Sequence, residues 1–227
     1  MNKRQIQRYL DVGIDRDDLK GEYDQWVEEC FVELENASNW WCCRTRSNVI
    51  MEAGTMAIEL PSDYIKLTGA KTPITIIPTN SSTIAVRRLE VIVVPFEDLV
   101  RLDSSLLYPA AFTTLVNRRG FPVYLEPSEE GLWSIKTLEQ VAEDITFDVS
   151  YIQKIKRLAE ENDTNVITTK YPNMVKAKLK QIVFETIDDP RAEMWEAKFK
   201  RYHRLAVAQD EYERVHAQKF RMGGGSR

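Results

Sequence analysis

Apolar residues at both ends of this chain recur in steps of three and four, whereas its middle breaks into short runs of Ile, Val and Thr. That contrast constrains the fold more than any single motif does. Near the start, Leu19, Tyr23, Trp26, Val27, Cys30, Phe31 and Leu34 form one continuous helical stripe. Asp17 and Asp18 precede it, where a cap and a favourable N-terminal charge belong, and the helix should run out just before Trp40-Trp41. A shorter helix is expected from about Asn2 to Asp11, carrying Ile6, Tyr9 and Leu10. Towards the other end, Tyr171-Pro172 opens a helix with Val175, Leu179, Ile182 and Val183 on one face. The tripeptide Asp188-Asp189-Pro190 both stops it and starts the next, in which Ala192, Trp195, Phe199, Tyr202, Leu205, Tyr212 and Val215 follow. So short a connection predicts an antiparallel hairpin.

The middle reads as strands at Ala57 to Leu60, Tyr64 to Leu67, Pro73 to Ile77, Leu89 to Val94, Val123 to Glu126, Trp133 to Thr137 and Ile145 to Ile152. Turn signals such as Pro61-Ser62-Asp63 and Gly120-Phe121-Pro122 separate them, and one or two helical turns are expected from Pro95. The first helix has no partner for its Trp26 and Phe31 stripe unless it packs on the C-terminal hairpin. The expected fold class is therefore α+β: a helical bundle built from the N-terminal helix and the C-terminal hairpin, with an inserted β-rich module. The expected boundaries are 1–56 with 156–219 for the helices, 57–155 for the insertion and 220–227 for a flexible, Gly-rich tail.

An apolar fraction of 43% and a charged fraction of 29% exclude a disordered chain, and a net charge of -4 gives no general attraction for polyanions. The charge is uneven. From Lys170 onward 13 basic residues face 8 acidic ones, so the last quarter is positive and the rest negative. No run reaches the length of a membrane span, and Met1-Asn2-Lys3-Arg4 does not lead into an apolar signal segment. Cys30, Cys42 and Cys43 are odd in number with two adjacent, a poor disulfide framework or zinc knuckle, so a protein made in a reducing cytoplasm is expected.

The motif search gives no catalytic, cofactor-binding or metal-binding residues. Phosphate loops, dinucleotide fingerprints and nucleophile elbows are missing from the sequence. His203 and His216 share one helix, thirteen residues and almost 20 Å apart by helical rise, too far for one metal ion. The acidic pairs Glu28-Glu29, Glu129-Glu130, Glu160-Glu161 and Asp188-Asp189 sit at helix and turn signals, where carboxylates serve as caps. Lys176, Lys178, Lys180, Lys198, Lys200, Arg201 and Arg204 give the hairpin a basic character, which supports one reading: a DNA-binding protein that uses the basic C-terminal helical hairpin. Interleaved acids instead favour a salt-laced helix surface. An enzyme with an unseen site, such as a hydrolase, is the weakest alternative. Trp40 and Trp41 cannot both point inward from one short segment, so this pair is the candidate contact with the β-rich module or with a neighbouring subunit.

Four stretches, in this order, resemble the head-to-tail adaptor (neck, or connector) proteins of short-tailed bacteriophages. They are the aromatic-anchored helix ending at Trp40-Trp41 with Arg44-Thr45-Arg46; Leu60-Pro61-Ser62-Asp63-Tyr64, like the family's "LP-x-D-[FY]" entry; Gly120-Phe121-Pro122-Val123-Tyr124, with a later strand ending at Tyr151; and 158–172 leading into the hairpin. The match spans about residues 20 to 215. The chain departs from the family where Lys136-Thr137-Leu138-Glu139 replaces a usual proline, and 105–118 carries no family motif. The resemblance implies a structural virion protein that is not an enzyme and needs no cofactor, located in the neck. It would form a homo-oligomeric ring, twelve-fold, beneath the portal protein and bear a tail nozzle or tail fibre component. Double-stranded DNA would meet it only in transit through the lumen, and no membrane would be involved. The basic end carrying Arg214, Lys219, Phe220, Arg221 and Met222 is then the candidate portal-binding segment, a flexible strand with spaced apolar anchors.

Overall fold

The computed structural model describes residues 1–14, 17–69, 72–77, 89–93, 121–128, 131–137, 140–141 and 144–222. The chain is α+β and divides into two units, Met1–Cys43 with Lys154–Arg227, and Arg44–Gln153. Helices make up the first unit and strands the second, among the described residues.

The helical unit contains α1 (Lys3–Ile14), α2 (Tyr23–Ala37), α3 (Val166–Lys170), α4 (Pro172–Thr186) and α5 (Arg191–Met222). Helix α1 buries Ile6 and Leu10, and its first turn is tied to 161–163 by Lys3 N–H to Asp163 C=O and Arg4 N–H to Glu161 C=O. Helix α2 buries Trp26, Val27, Cys30, Phe31 and Leu34, the expected stripe, and packs on α4. Burying each such large apolar side chain contributes on the order of 1.5–3 kcal/mol. The start of α2 differs from expectation. Asp17–Glu22 forms a 3-10 turn, the α-helix begins at Tyr23, and Glu22 at the cap position makes no side-chain capping bond. Helix α3 was not anticipated. Asn165 and Thr168 close a reciprocal capping box there, and Pro172 follows within two residues to open α4.

Helices α4 and α5 meet at Asp188-Asp189-Pro190 as expected. Asp188 takes the left-handed conformation that ends α4 (φ 52°), and Asp189 Oδ1 accepts from Arg191 N–H at the start of α5. Contacts then pair Phe184 with Arg191, Lys180 with Trp195, Lys178 with Phe199 and Tyr171 with Asp210. The numbers fall along one segment as they rise along the other. Helix α5 has 32 residues, about 48 Å by helical rise, yet through residue 216 it buries only Ala206 and Asp210.

The second unit contains β1 (Arg44–Met51), β2 (Ala57–Glu59), β3 (Tyr64–Leu67), β4 (Ile74–Ile77), β5 (Leu89–Val93), β6 (Phe121–Pro127), β7 (Trp133–Lys136) and β8 (Ile145–Gln153). They pair in the order β1-β8-β4-β5-β6-β7-β2, with β3 also on β8, antiparallel throughout except β5 with β6. Strand β8 is the spine: β1 runs beside 145–152, while β4 pairs with 146–149 and β3 with 151–153. Met51, Ile74, Val123, Ile135, Phe147 and Val149 are fully enclosed at its centre.

The unit boundary corrects the expected one. Residues 44–56 belong with the sheet, not with the helices, because Arg44–Met51 is a strand paired along its whole length with β8. Its sequence, Arg-Thr-Arg-Ser-Asn-Val-Ile-Met, offers little apolar alternation until its end, so pairing rather than pattern makes it a strand. The turns expected from Pro95 and the segment 105–118 lie outside the described residues.

Candidate functional site

Two places in the helical unit gather polar chemistry. The first is the turn Trp41–Cys43, a 3-10 segment that leads to Arg44. Asp210 reaches it from the middle of α5: its carboxylate accepts from Trp41 N–H, from Cys42 N–H at 3.2 Å and from Tyr171 O–H at 3.2 Å. A carboxylate on two successive amide donors is the geometry of a helix N-cap, supplied here from a helix remote in sequence. Burial, and then the Asp210 charge, push the Tyr171 hydroxyl well above the usual tyrosine range, so it stays a donor. Beneath the turn Trp40 is 1% exposed, its Nε1 donates to Leu34 C=O at 2.7 Å, and its ring meets Tyr171 and His203. Burial lowers the pKa of His203, which is hydrogen-bonded to Ser38 Oγ through Nε2 at 2.9 Å. The function of this locus is to hold 38–43 on α5.

The second place is a concentration of cations over aromatic rings. Lys176 Nζ lies 5.3 Å and Lys180 Nζ 5.0 Å from the Tyr9 ring centre. Lys180 also lies 5.4 Å from Trp195 and 5.9 Å from Phe184, Lys198 lies 4.0 Å from Trp195, and the Arg191 guanidinium lies 4.3 Å from Phe184. Each such contact offers partial compensation to an ammonium that has left water. Burial first, then the charges of Arg191 and Lys198, hold Lys180 below the ordinary lysine pKa. The Lys180 ammonium lies against Gly13, where a Cβ would require that flexible side chain to shift. Among the described residues, Asp189 pairs with Arg191, whereas no carboxylate stands within ion-pair distance of Lys176, Lys180 or Lys198. An adjoining groove of about 590 Å³ is lined by Arg8, Tyr9, Val12 and Lys176 among others.

The residues singled out from sequence separate clearly. Trp40 is internal, so of the aromatic pair only Trp41 keeps partial exposure, at a small cleft of about 200 Å³ with Asp210 and Arg214. Lys178, counted with the basic hairpin, is buried and ion-paired with Glu33 of α2, and Lys200 pairs with Glu196 at 2.6 Å. Arg214 donates from Nη2 to Glu211 at 2.6 Å, while its Nε has no partner among the described residues. The expected flexible strand from 214 is instead helical: α5 continues through Met222, which takes in Lys219, Phe220 and Arg221. The side chains from 217 onward and the segment 223–227 lie outside the described residues. His216 packs on Tyr212, with ring centres 4.1 Å apart. Glu28 pairs with Arg157 at 2.7 Å and Glu161 with Arg4 at 3.9 Å, while Arg191 draws Asp189 down to a pKa of about 2. Glu129 and Glu130 lie outside the described residues.

Among the described residues no three His, Cys, Asp or Glu side chains gather to hold a metal ion, and no helix is long and apolar enough to cross a membrane. Sequence reasoning missed Asp210, Tyr9 and Arg191. A lone carboxylate in a polar helix, a tyrosine in a short stripe and an arginine after a proline carry no local signal, because each acquires its role from another helix. The chain matches no known protein family and no curated protein.

Proposed function

We propose that this chain is a structural subunit of a bacteriophage neck, forming a ring adaptor that joins the portal to the tail and continues the DNA channel. In this reading α1, α2, α4 and α5 form the ring-building helical bundle, α4 and α5 are its hairpin, and the sheet unit serves as the platform for the next tail component. The observation that carries it is the outer face of α5. Met194, Leu205 and Tyr212 are 46%, 59% and 64% exposed and fall on one line along the helix, with Val215 close beside it. Apolar side chains recurring along one line over five turns, with exposed Arg201 between Met194 and Leu205, make a mixed surface that a repeated neighbour in a closed ring would cover.

The stretches that suggested the family resemblance also have structural roles consistent with it. Asp63, of the Leu60-Pro61-Ser62-Asp63-Tyr64 entry, accepts from Tyr151 O–H at 2.9 Å, and Tyr64 packs against Tyr151 and Trp133. The subunit catalyses no reaction and binds no cofactor in this account. Its place is the virion neck, with the portal above, a nozzle or fibre component below and DNA in passage.

The test is assembly. Purified chain mixed with isolated portal rings should form a stacked second ring, visible by electron microscopy, and Leu205→Asp with Tyr212→Asp should leave a folded monomer that forms none. Truncation after Glu213 should leave the chain folded and self-associating but unable to load on the portal. Unchanged ring formation by the double aspartate variant would remove α5 as the subunit contact, and failure of the intact chain to load would remove the adaptor reading.

A further inference from the structure

In the cluster of cations over Tyr9, Phe184 and Trp195, Arg191 is paired with Asp189, but the three lysines have no carboxylate within ion-pair distance among the described residues. Lys176 and Lys180 stand one turn apart on α4, and Lys198 and Arg191 approach the same rings from α5. Arg8 of α1, exposed, borders the same groove as Lys176. Other bases of this unit have found carboxylates: Lys178 has Glu33, Arg157 has Glu28 and Glu35, and Lys170 has Glu213. The contrast is therefore local, since carboxylates are plentiful elsewhere on the same unit. Like charges brought together in a partly desolvated place repel one another and favour a bound anion.

We propose that this face, Lys176, Lys180, Lys198 and Arg191 with Arg8, binds the phosphate backbone of double-stranded DNA without reading its sequence. The ligand class follows from the groups. The cations come mostly as lysines, point charges on flexible stems suited to spaced phosphates, where recognition of carboxylates favours planar arginine forks. The Tyr9 and Trp195 rings are covered by ammonium groups and are not free to stack on unpaired bases, which disfavours a single strand. Gln5 lines the adjoining groove, but its Oε1 already accepts from Asn2 N–H at 3.0 Å at the start of α1, so backbone contact is the expected mode. The inference does not rest on the ring-adaptor reading, because it concerns the isolated chain.

The experiment is a salt titration. Intact chain and a mixed-sequence duplex are followed by fluorescence anisotropy between 50 and 200 mM KCl, an interval over which phosphate contacts weaken steeply. Each lost contact should lower the slope of log K against log salt by about 0.9, so K176Q/K198Q should lower it by roughly two. Both positions stay at least partly exposed, so the fold should survive, as circular dichroism would show. K156Q/K200Q removes the same charge from exposed positions outside the cluster and should leave the slope unchanged. The proposal is overturned if intact chain fails to bind the duplex at 50 mM salt, or if both double variants change the slope equally. Competition by polyglutamate at matched charge as effectively as by DNA would also overturn it, by making the face a generic polyanion surface. A chain that loads on portal rings without binding DNA defeats this inference alone, and one that binds DNA without loading defeats only the adaptor reading.

Discussion

The helical unit and the sheet unit hold remote parts of the chain together by different means. In the helical unit each helix satisfies most of its own backbone, so apart from the backbone bonds that tie α1 to 161–163 the connections fall to side chains. Asp210 grips the Trp41–Cys43 turn, Glu35 accepts from Ile155 N–H at 2.6 Å and pairs with Arg157 at 2.7 Å, and Lys178 meets Glu33. Its core relies on large rings, with Trp26, Phe31, Trp40 and Phe184 all essentially enclosed. In the sheet unit the backbone makes the connections, because a strand has no internal partner and must take one from elsewhere. Strand β8 pairs with β1, β3 and β4, and the core is mostly aliphatic around Phe147. One unit is stitched chiefly by side chains, the other chiefly by ladders.

That contrast can be broken most forcefully in the helical core. Phe31→Ala should destabilise the protein by about 3–5 kcal/mol, read from urea unfolding followed by tryptophan fluorescence. A cost near zero would mean that α2 is not held through this ring. The next largest effect is expected at Asp210. Replacement by Ala strands two amide donors and a tyrosine hydroxyl and should cost about 2–4 kcal/mol, with faster hydrogen exchange confined to 40–43 and the facing part of α5. Uniform loosening of both units would erase the distinction drawn between them.

Side-chain ties should matter less in the sheet. Tyr151→Phe removes the hydroxyl that donates to Asp63 and should cost only about 1 kcal/mol, while amide protection along β8 persists. A loss as large as that at Asp210 would show that the sheet, too, depends on side-chain stitching. The smallest effect sharpens the comparison by pH. Both histidines of the chain, His203 and His216, lie on α5 of the helical unit. Burial lowers the folded pKa of His203 below its ordinary 6.5, so below that pH the unfolded chain takes up the proton more readily. Its contribution is therefore present above pH 6.5 and fades as pH falls through the folded value. Between pH 7 and 5.5 hydrogen exchange should accelerate around 38–40 and His203 but not along β8, and His203→Gln should abolish the difference.

How far the fold was legible follows from the same physics. The stripes containing Trp26, Phe31, Val175 and Leu179 announced helices because helical periodicity is local and their apolar faces are wide. Strands β3, β5 and β7 could be placed to within a residue because Val, Ile and aromatic residues lie between clear turn signals. Arg44–Met51 could not be placed: a half-polar strand is defined by the ladder it joins, and its partner lies about a hundred residues away at 145–152. The same holds for the 3-10 turn at Asp17–Glu22, where two aspartates looked like caps but the α-helix begins only at Tyr23.

For the candidate sites the division is sharper. The sequence by itself determined the α+β class, the helical ends flanking a β-rich middle, the lack of a recognisable catalytic motif and the basic character of the last quarter. All of these depend on composition or on neighbours a few residues apart. Only the tertiary structure decided which bases are spent and which remain available. Lys178 and Lys180 are two residues apart, yet a helix turns them by about 200°. One therefore meets Glu33 and the other Tyr9, Phe184 and Trp195. Charge counts cannot separate them, because neutralisation depends on distances of a few ångströms between residues that the sequence places far apart.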